Sequence, residues 1–387
     1  MIQCWQNRVY RVIGWCLIMD VMHIVGNRPQ FIKLAPVSRE LRRRNVEEGI
    51  IHTGQHYDTD MSDIFFEELK IPKPVRNLNV GSGSHAQVTG KAMIRIEETL
   101  FEYQPKCVIV YGDTNSTLAA ALAAAKLCIP IVHVEAGLRI FEKRNPEECN
   151  RIVVDHIADY LCTPDKICVD NLIKEGISKK KIFFTGDVMY DQFLYCLNNS
   201  TVSDSRNRYP DDYILMTWHR QENTCSRERM EQIINFIEQI HYTVVLPLHP
   251  RTSKLLSQYG LEERIKKISF LKIIHPVSYK EMVSLLSCCR LLISDSGGAS
   301  KEASFVGKKC IYILNFDVWK ELIQAGYIRS VDMNNEESVE EALKEIENTL
   351  IHGSKLGRTD VFGDGTAAVK IADIITGILG GNENEKK

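Results

Sequence analysis

The chain contains no Cys-x-x-Cys pair, although it has 12 cysteines. That absence removes the spacing of a zinc ribbon or a dithiol redox site. The cysteines then read as reduced core thiols of a cytoplasmic protein, with Cys107 and Cys310 inside apolar runs. No apolar stretch reaches the roughly 18 residues of a membrane span. There is no excess of charge either: Lys+Arg is 48, Asp+Glu is 50, and the formal net charge is −2. A nucleic-acid partner therefore lacks its electrostatic footprint, and an anionic ligand must be held by local positive groups. Residues 12–19 are apolar and follow Arg8 and Arg11, but Asp20 ends the run and no small-residue cleavage site follows. Residues 1–20 read as a non-essential extension, with Met19 or Met22 as the natural beginning, and the C-terminal end reads as a solvated tail.

What is present is ordinary globular material on a large scale. The 387 residues are 44% apolar and 25% charged, enough for two or three domains with a sizeable core. Short apolar runs alternate with amphipathic segments. Strands are expected at 21–25, 49–53, 107–111, 131–135, 160–163 and 181–185. A second set is expected at 213–218, 243–247, 271–274, 291–295 and 310–314. Continuous rather than alternating hydrophobicity marks strands buried on both faces, as in a parallel sheet. Intervening helices are expected at 31–44, 85–103, 116–126, 146–158 and 227–241. The βαβα order predicts a doubly wound α/β fold, and it occurs on each side of the polar stretch 198–212. The expectation is two Rossmann-like domains, 21–197 and 198–365, with the active site in the cleft between them.

Asp295–Glu302 reads DSGGASKE directly after an apolar run. A strand ending in Asp-Ser-Gly-Gly before a helix presents free backbone N–H groups to a phosphate, aided by the helix dipole. Glu302, placed within about the first turn, has two oxygens for the two hydroxyls of a ribose. The bland alternative is a tight turn with a capping acid.

Other polar groups fall at the same ends of other strands. GNRPQFIK follows the first, so Arg28 can meet a phosphate with a bidentate fork and Lys33 as a point charge. Both are equally readable as a charged helix start in solvent. GDTNST places Asp113 at a strand tip and Ser116 at an N-cap. Glu135 reads as the last residue of its strand, an acid/base candidate with a raised pKa in an apolar setting, or else an ion pair with Arg139. Glu147 opens another helix and has Arg151 at i+4, so a surface pair is the alternative. His219 and His249 sit at strand tips in the second half, where with Arg220 they can clamp a pyrophosphate or shuttle protons. Carboxylates dominate the first half and histidines with a nucleotide motif the second. A nucleotide-sugar suits that division.

In collinear order, GNRPQFIKLAP, TGQHYD, YGDTNSTLAAALAA, HVEAGLR, PEECNR, GDVMYD, HRQENT, HPR and SDSGGASKEA resemble the non-hydrolysing UDP-N-acetylglucosamine 2-epimerases. The Arg-Pro-Gln-Phe-Ile-Lys form and TGQHYD also resemble the branch that acts on UDP-2,3-diacetamido uronic acids. The resemblance implies a glycosyltransferase-B-like architecture, with a C-terminal helix at about 366–380 crossing back to the first domain. It implies a cytoplasmic homodimer that uses a UDP-sugar, without metal or cofactor, membrane or nucleic acid. The implied reaction inverts C2 by eliminating UDP to a glycal and adding it back. By resemblance Asp113, Glu135 and Glu147 form the acid/base group, while His219 and Arg28 support the departing phosphate. Lys33 also matches an active-site position, Ser296, Gly297 and Gly298 lie on the phosphate loop, and Glu302 is the ribose acid.

Two departures stand out. Ser300-Lys301-Glu302 replaces the family's Gln-Glu-Glu, and an expected arginine is absent from Leu314-Asn315-Phe316-Asp317-Val318-Trp319. Gln55 and His56 match part of a region that binds a second substrate molecule in some family members. A glycosyltransferase and a UDP-sugar-binding protein without turnover are the competing readings.

Overall fold

The computed structural model describes residues 19–54, 66–142, 144–199, 213–314, 319–354 and 356–384. Most of the expected extension at 1–20, most of the connection at 198–212, Gln55, His56 and residues 315–318 lie outside them. The chain divides into two compact units, Met1–Gln192 with Phe362–Lys387, and Phe193–Val361. The boundaries thus fall at 192/193 and 361/362 rather than at 198 and 366. One reason is Phe193, which is fully buried and packs its ring 5.6 Å from that of Phe305 within the second unit.

The first unit holds β1 (Val21–Val25), β2 (Glu48–His52), β3 (Arg76–Asn77), β4 (Cys107–Tyr111), β5 (Ile131–Val134), β6 (Tyr160–Thr163) and β7 (Ile182–Phe184). They form one sheet in the order β3-β2-β1-β4-β5-β6-β7. Every pairing is parallel, with Val21 opposite both Glu48 and Cys107. All five residues of β1 and of β4 are buried, which is why these segments read as unbroken apolar runs. Helices His85–Tyr103 and Asn115–Lys126 cover the sheet with Val88, Ala92, Ile96, Ala120 and Ala124. Helix Ala367–Asn384 packs on helix Arg28–Arg43, where Arg44 pairs with Asp373 at 2.7 Å.

The second unit repeats the design. Its strands are β8 (Ile214–Thr217), β9 (Val244–Pro247), β10 (Leu271–Ile274), β11 (Leu291–Ser294), β12 (Lys309–Tyr312) and β13 (Ile328–Ser330). Their order is β10-β9-β8-β11-β12-β13, again parallel throughout. A core of Ile214, Met216, Ile233, Ile237, Leu246 and Ile293 lies against helix Arg227–Glu238.

In each sheet the strand order reverses once, between β1 and β4 and between β8 and β11. Loops leaving the carboxyl ends there diverge and open a crevice, the usual ligand position of such sheets. Two strands absent from the sequence reading, β3 and β13, are edge strands of two and three residues. Among the described residues no helix is long and apolar enough to cross a membrane.

Candidate functional site

The first unit's groups stand on the turns after β1, β4 and β5 and on the helix after β5. Gly26 leaves β1 under crowding that only glycine fits: a Cβ would lie 2.3 Å from Thr53 Oγ1 and 2.4 Å from Ser116 Oγ. Asn27 caps helix Arg28–Arg43 by accepting from the Gln30 N–H, and Arg28 is exposed at its first position. Gln30, buried and unnoticed in the sequence, ties the two turns of the switch point together. Its Oε1 accepts from Gly26 N–H at 2.7 Å, and its Nε2 donates to the Tyr111 carbonyl at 2.8 Å. Lys33 is neither a solvent cation nor a point charge projecting from the helix start. Its ammonium lies 2.6 Å from Glu135 Oε1, and both side chains are 9% exposed.

Glu135 is not the last residue of its strand. β5 ends at Val134, and Glu135 takes φ +70°, the left-handed region that few non-glycine residues adopt. Its partner is Lys33 rather than Arg139, so the apolar setting expected for it is instead an ion pair. Arg139 turns away, to Asp155 at 2.7 Å and in a bidentate grip on Glu175. Asp113 accepts from Arg151 Nε at 2.9 Å and Nη2 at 2.7 Å. The N-cap of the following helix is Thr114 and not Ser116. Ser116 is buried and shares a hydrogen bond of 2.8 Å with Thr53 instead.

Helix Pro146–Ile157 carries the third carboxylate. Asn145 caps it, and Glu147 stands half-buried in its first turn. The i+4 pair expected for Glu147 does not form. Arg151 binds Glu148 at 2.6 Å and Asp113. Burial pushes Glu148's pKa up, but the N–H groups of Ile140 and Phe141 together with Arg151 outweigh it, so the carboxyl lies below its ordinary range. Burial likewise works against the Arg151 charge, and Asp113 and Glu148 more than compensate. Asn150 donates to the Asp113 carbonyl at 2.8 Å, fixing the turn from the same helix.

In the second unit the organiser is Asp295, fully buried just past β11. It accepts the backbone N–H groups of His219, at 3.0 and 3.1 Å, and of Arg220, at 2.8 Å. His219 Nδ1 lies 3.5 Å from Asp295, and the ring stands 5.6 Å from that of His249. His249 caps helix Pro250–Gln258, its Nδ1 accepting from Arg251 N–H at 3.2 Å. That hydrogen bond leaves the proton of the neutral ring on Nε2. The sequence placed both histidines correctly but gave no sign that Asp295 orders their loop.

Ser296 caps helix Gly297–Phe305, so Gly297 and Gly298 offer the first helical N–H groups. Glu302 is the sixth residue of that helix, beyond the first turn where the dipole acts. It is buried, and its Oε1 accepts from the Tyr279 hydroxyl at 2.8 Å. Lys301, one of the departures from the family pattern, is buried with its ammonium 4.7 Å from the centre of the Trp319 ring. Trp319 Nε1 in turn donates to the Gly297 carbonyl at 2.8 Å. Among the described residues no cluster of His, Cys, Asp and Glu could hold a metal ion.

Residues 39–376 match the family model described as UDP-N-acetylglucosamine 2-epimerase. A UDP-N-acetylglucosamine 2-epimerase homolog of Methanococcus maripaludis is 46% identical over 362 residues, 92% of this chain and 99% of that protein. The UDP-2,3-diacetamido-2,3-dideoxy-D-glucuronate 2-epimerase of Pseudomonas aeruginosa is 41% identical, with the same coverage of 92% and 99%. Among solved structures, the Methanocaldococcus jannaschii UDP-GlcNAc 2-epimerase in complex with UDP-GlcNAc and UDP superposes with a TM-score of 0.82. It is 39% identical, over 92% of this chain and 99% of that one. Sequence motifs, two parallel sheets with matching switch points and near-complete coverage agree, and the chain belongs to the UDP-N-acetylglucosamine 2-epimerase family.

Proposed function

We propose that this protein inverts C2 of UDP-N-acetylglucosamine to give UDP-N-acetylmannosamine, by eliminating UDP and adding it back. The observation that carries the reading is the set of carboxylates Asp113, Glu135 and Glu147. They stand on the turns after β4 and β5 and on the next helix, each presented by a different local device.

C2 of the sugar is not beside a carbonyl, so its proton is not acidic. Its loss must accompany departure of the C1 substituent. A carboxylate takes the C2 proton, the C1–O bond to the pyrophosphate breaks, and a C1–C2 double bond forms. Re-addition delivers a proton from a carboxyl to the opposite face of C2, while a pyrophosphate oxygen rejoins C1 on the face it left, so that only C2 is inverted. Two faces require more than one proton-holding group, which the three carboxylates supply. The departing pyrophosphate gains negative charge, which His219 and Arg28 stabilise. The N–H groups of Gly297 and Gly298, with Ser296 and His249, hold the phosphates, and Glu302 accepts the ribose hydroxyls. The part given to Lys33 is to neutralise Glu135 and hold it in its left-handed turn.

The Pseudomonas relative supports a second substrate, the UDP-2,3-diacetamido uronate, on the same chemistry. The reduced thiols among the described cysteines support a cytoplasmic location, and the family resemblance supports a homodimer. The deciding experiment incubates the enzyme with each UDP-sugar in deuterium oxide and follows C2 by NMR. Inversion with deuterium at C2 is expected. Recovery of both sugars unchanged, with UDP still bound, would leave a binding protein. UDP release that requires an acceptor sugar would indicate a glycosyltransferase.

A further inference from the structure

The peptide between Gly297 and Gly298 turns more freely than its neighbours in the phosphate loop, because neither flanking residue carries a Cβ. Here it is held in one orientation, at the start of helix Gly297–Phe305. Two side chains hold it. Trp319 Nε1 donates to the Gly297 carbonyl at 2.8 Å, and Ser300 Oγ donates to the same oxygen at 2.9 Å. Both side chains are buried. Trp319 is itself fixed on two sides. Its carbonyl accepts the N–H groups of Leu322 and Ile323, at 3.1 and 3.0 Å, where helix Lys320–Gln324 begins. Buried Lys301 covers the face of its ring, with Nζ 4.7 Å from the centre. Ser300, Lys301 and Trp319 all lie in the two segments where the chain departs from the family pattern.

A trans peptide is planar, with its N–H opposite its C=O. Anchoring the Gly297 oxygen toward the body of the helix therefore aims the Gly298 N–H outward, past the helix start. The neighbouring N–H groups are already taken. Ser296 N–H donates to Ser294 Oγ at 2.9 Å, Ala299 N–H to Ser296 Oγ at 3.3 Å, and Ser300 N–H to the Ser296 carbonyl at 3.0 Å. Gly297 and Gly298 are left, both partly exposed, and no described residue accepts from their N–H groups. Donors at a carbonyl also polarise the N–H of the same peptide, which strengthens its bond to an anion.

We infer that Trp319 is a positioning residue of the nucleotide site, seconded by Ser300: by holding the Gly297 carbonyl it fixes the Gly298 N–H as a donor to phosphate. The segment after β12 thus acts on the nucleotide through the phosphate loop, without having to touch it. The affinity half of this inference rests on the UDP-sugar reading given above, and the peptide-holding half does not.

Trp319→Phe keeps a ring under Lys301 and removes the donor. In the ligand-free variant, ¹⁵N relaxation dispersion should show microsecond-to-millisecond exchange at the Gly298 amide that the wild type lacks. An unchanged Gly298 amide overturns the inference whatever the protein binds. In titration calorimetry, UDP and inorganic pyrophosphate should each bind the variant about tenfold more weakly, as for the loss of one hydrogen bond to an anion. Uridine, which has no phosphate, should stay within about twofold of its wild-type affinity. Unchanged UDP affinity overturns the positioning role, and so does a uridine loss as large as the UDP loss, which would mean general damage to the unit. Ser300→Ala removes the other donor with little change in volume and is read by the same measurements with the same outcomes, so the test stands even where Trp319→Phe fails to fold. A wild type that binds neither UDP nor pyrophosphate would instead fault the nucleotide reading, with the Gly298 amide still deciding whether Trp319 holds the peptide.

Discussion

Replacing Lys33 by methionine keeps the length of the side chain and removes its charge. The ammonium lies 2.6 Å from Glu135 Oε1, and neither side chain is more than 9% exposed. At an effective dielectric near 20, unit charges at that separation attract by about 6 kcal/mol. Desolvation of the two ions offsets much of this, so the pair itself is worth far less than the Coulomb figure. A single deletion measures something else, the cost of a buried carboxylate that has lost its counter-charge, about 3–5 kcal/mol. For a unit of roughly 200 residues that corresponds to a fall in Tm of about 10 °C or more. Glu135→Gln strands the ammonium instead and should cost a similar amount. The double variant buries neither charge. Its loss should therefore fall short of the sum of the single losses by about 2 kcal/mol or more. Scanning calorimetry of the four proteins gives the cycle. Losses that add to within about 0.5 kcal/mol, or a Lys33→Met variant within about 1 kcal/mol of the wild type, would refute the reasoning. Turnover adds a separate check, because Glu135→Gln keeps the shape of the side chain and removes its basicity. It should lower kcat by about 100-fold or more.

Three further outcomes follow from single sites. Gly112→Ala should cost at least about 1 kcal/mol, since it forces a side chain into the left-handed region against Lys33, and a variant as stable as the wild type would contradict the turn geometry. UDP should raise Tm, and Glu302→Ala should weaken its binding by about 1–3 kcal/mol; equal affinity in titration calorimetry would remove Glu302 from the nucleotide site. Asp191 accepts the N–H groups of Ala367 and Ala368, yet burial and the neighbouring Asp187 and Asp364 push its pKa up to about 6 from 3.8. The folded chain then holds that proton more tightly than the unfolded one, so the contribution is present below about pH 4 and is lost as pH rises through about 6, roughly 3 kcal/mol in all. Asp191→Asn should remove this slope, and urea titrations showing the same pH dependence in both proteins would sink the assignment.

The parts of the fold that were legible are those written in consecutive residues. β1, β4, β6 and β10 begin and end where the sequence reading placed them; β1 and β4 do so because a strand buried on both faces needs an unbroken apolar run, whereas the edge strand β10 exposes Lys272 and Ile273. β5 and β11 stop one residue early for a local reason. Glu135 and Asp295 leave the ladder to serve the turn, the first in a left-handed conformation and the second as acceptor for the loop after β8. Two exposed residues in β3 carry no period, so no pattern of hydrophobicity could have found them.

The site divides along the same line. Which residues stand at strand tips was legible; which ion meets which was not. Helical spacing offered Arg151 to Glu147, and proximity in sequence offered Arg139 to Glu135. The structure gives Arg151 to Asp113, 38 positions away, and Lys33 to Glu135, 102 positions away. The reason is topological. Parallel strands joined by crossover helices bring every carboxyl end to one edge, so residues far apart in sequence compete there for the same cation. A buried carboxylate takes the partner that best offsets its desolvation, and i+4 neighbours on a wet helix face give only a few tenths of a kcal/mol.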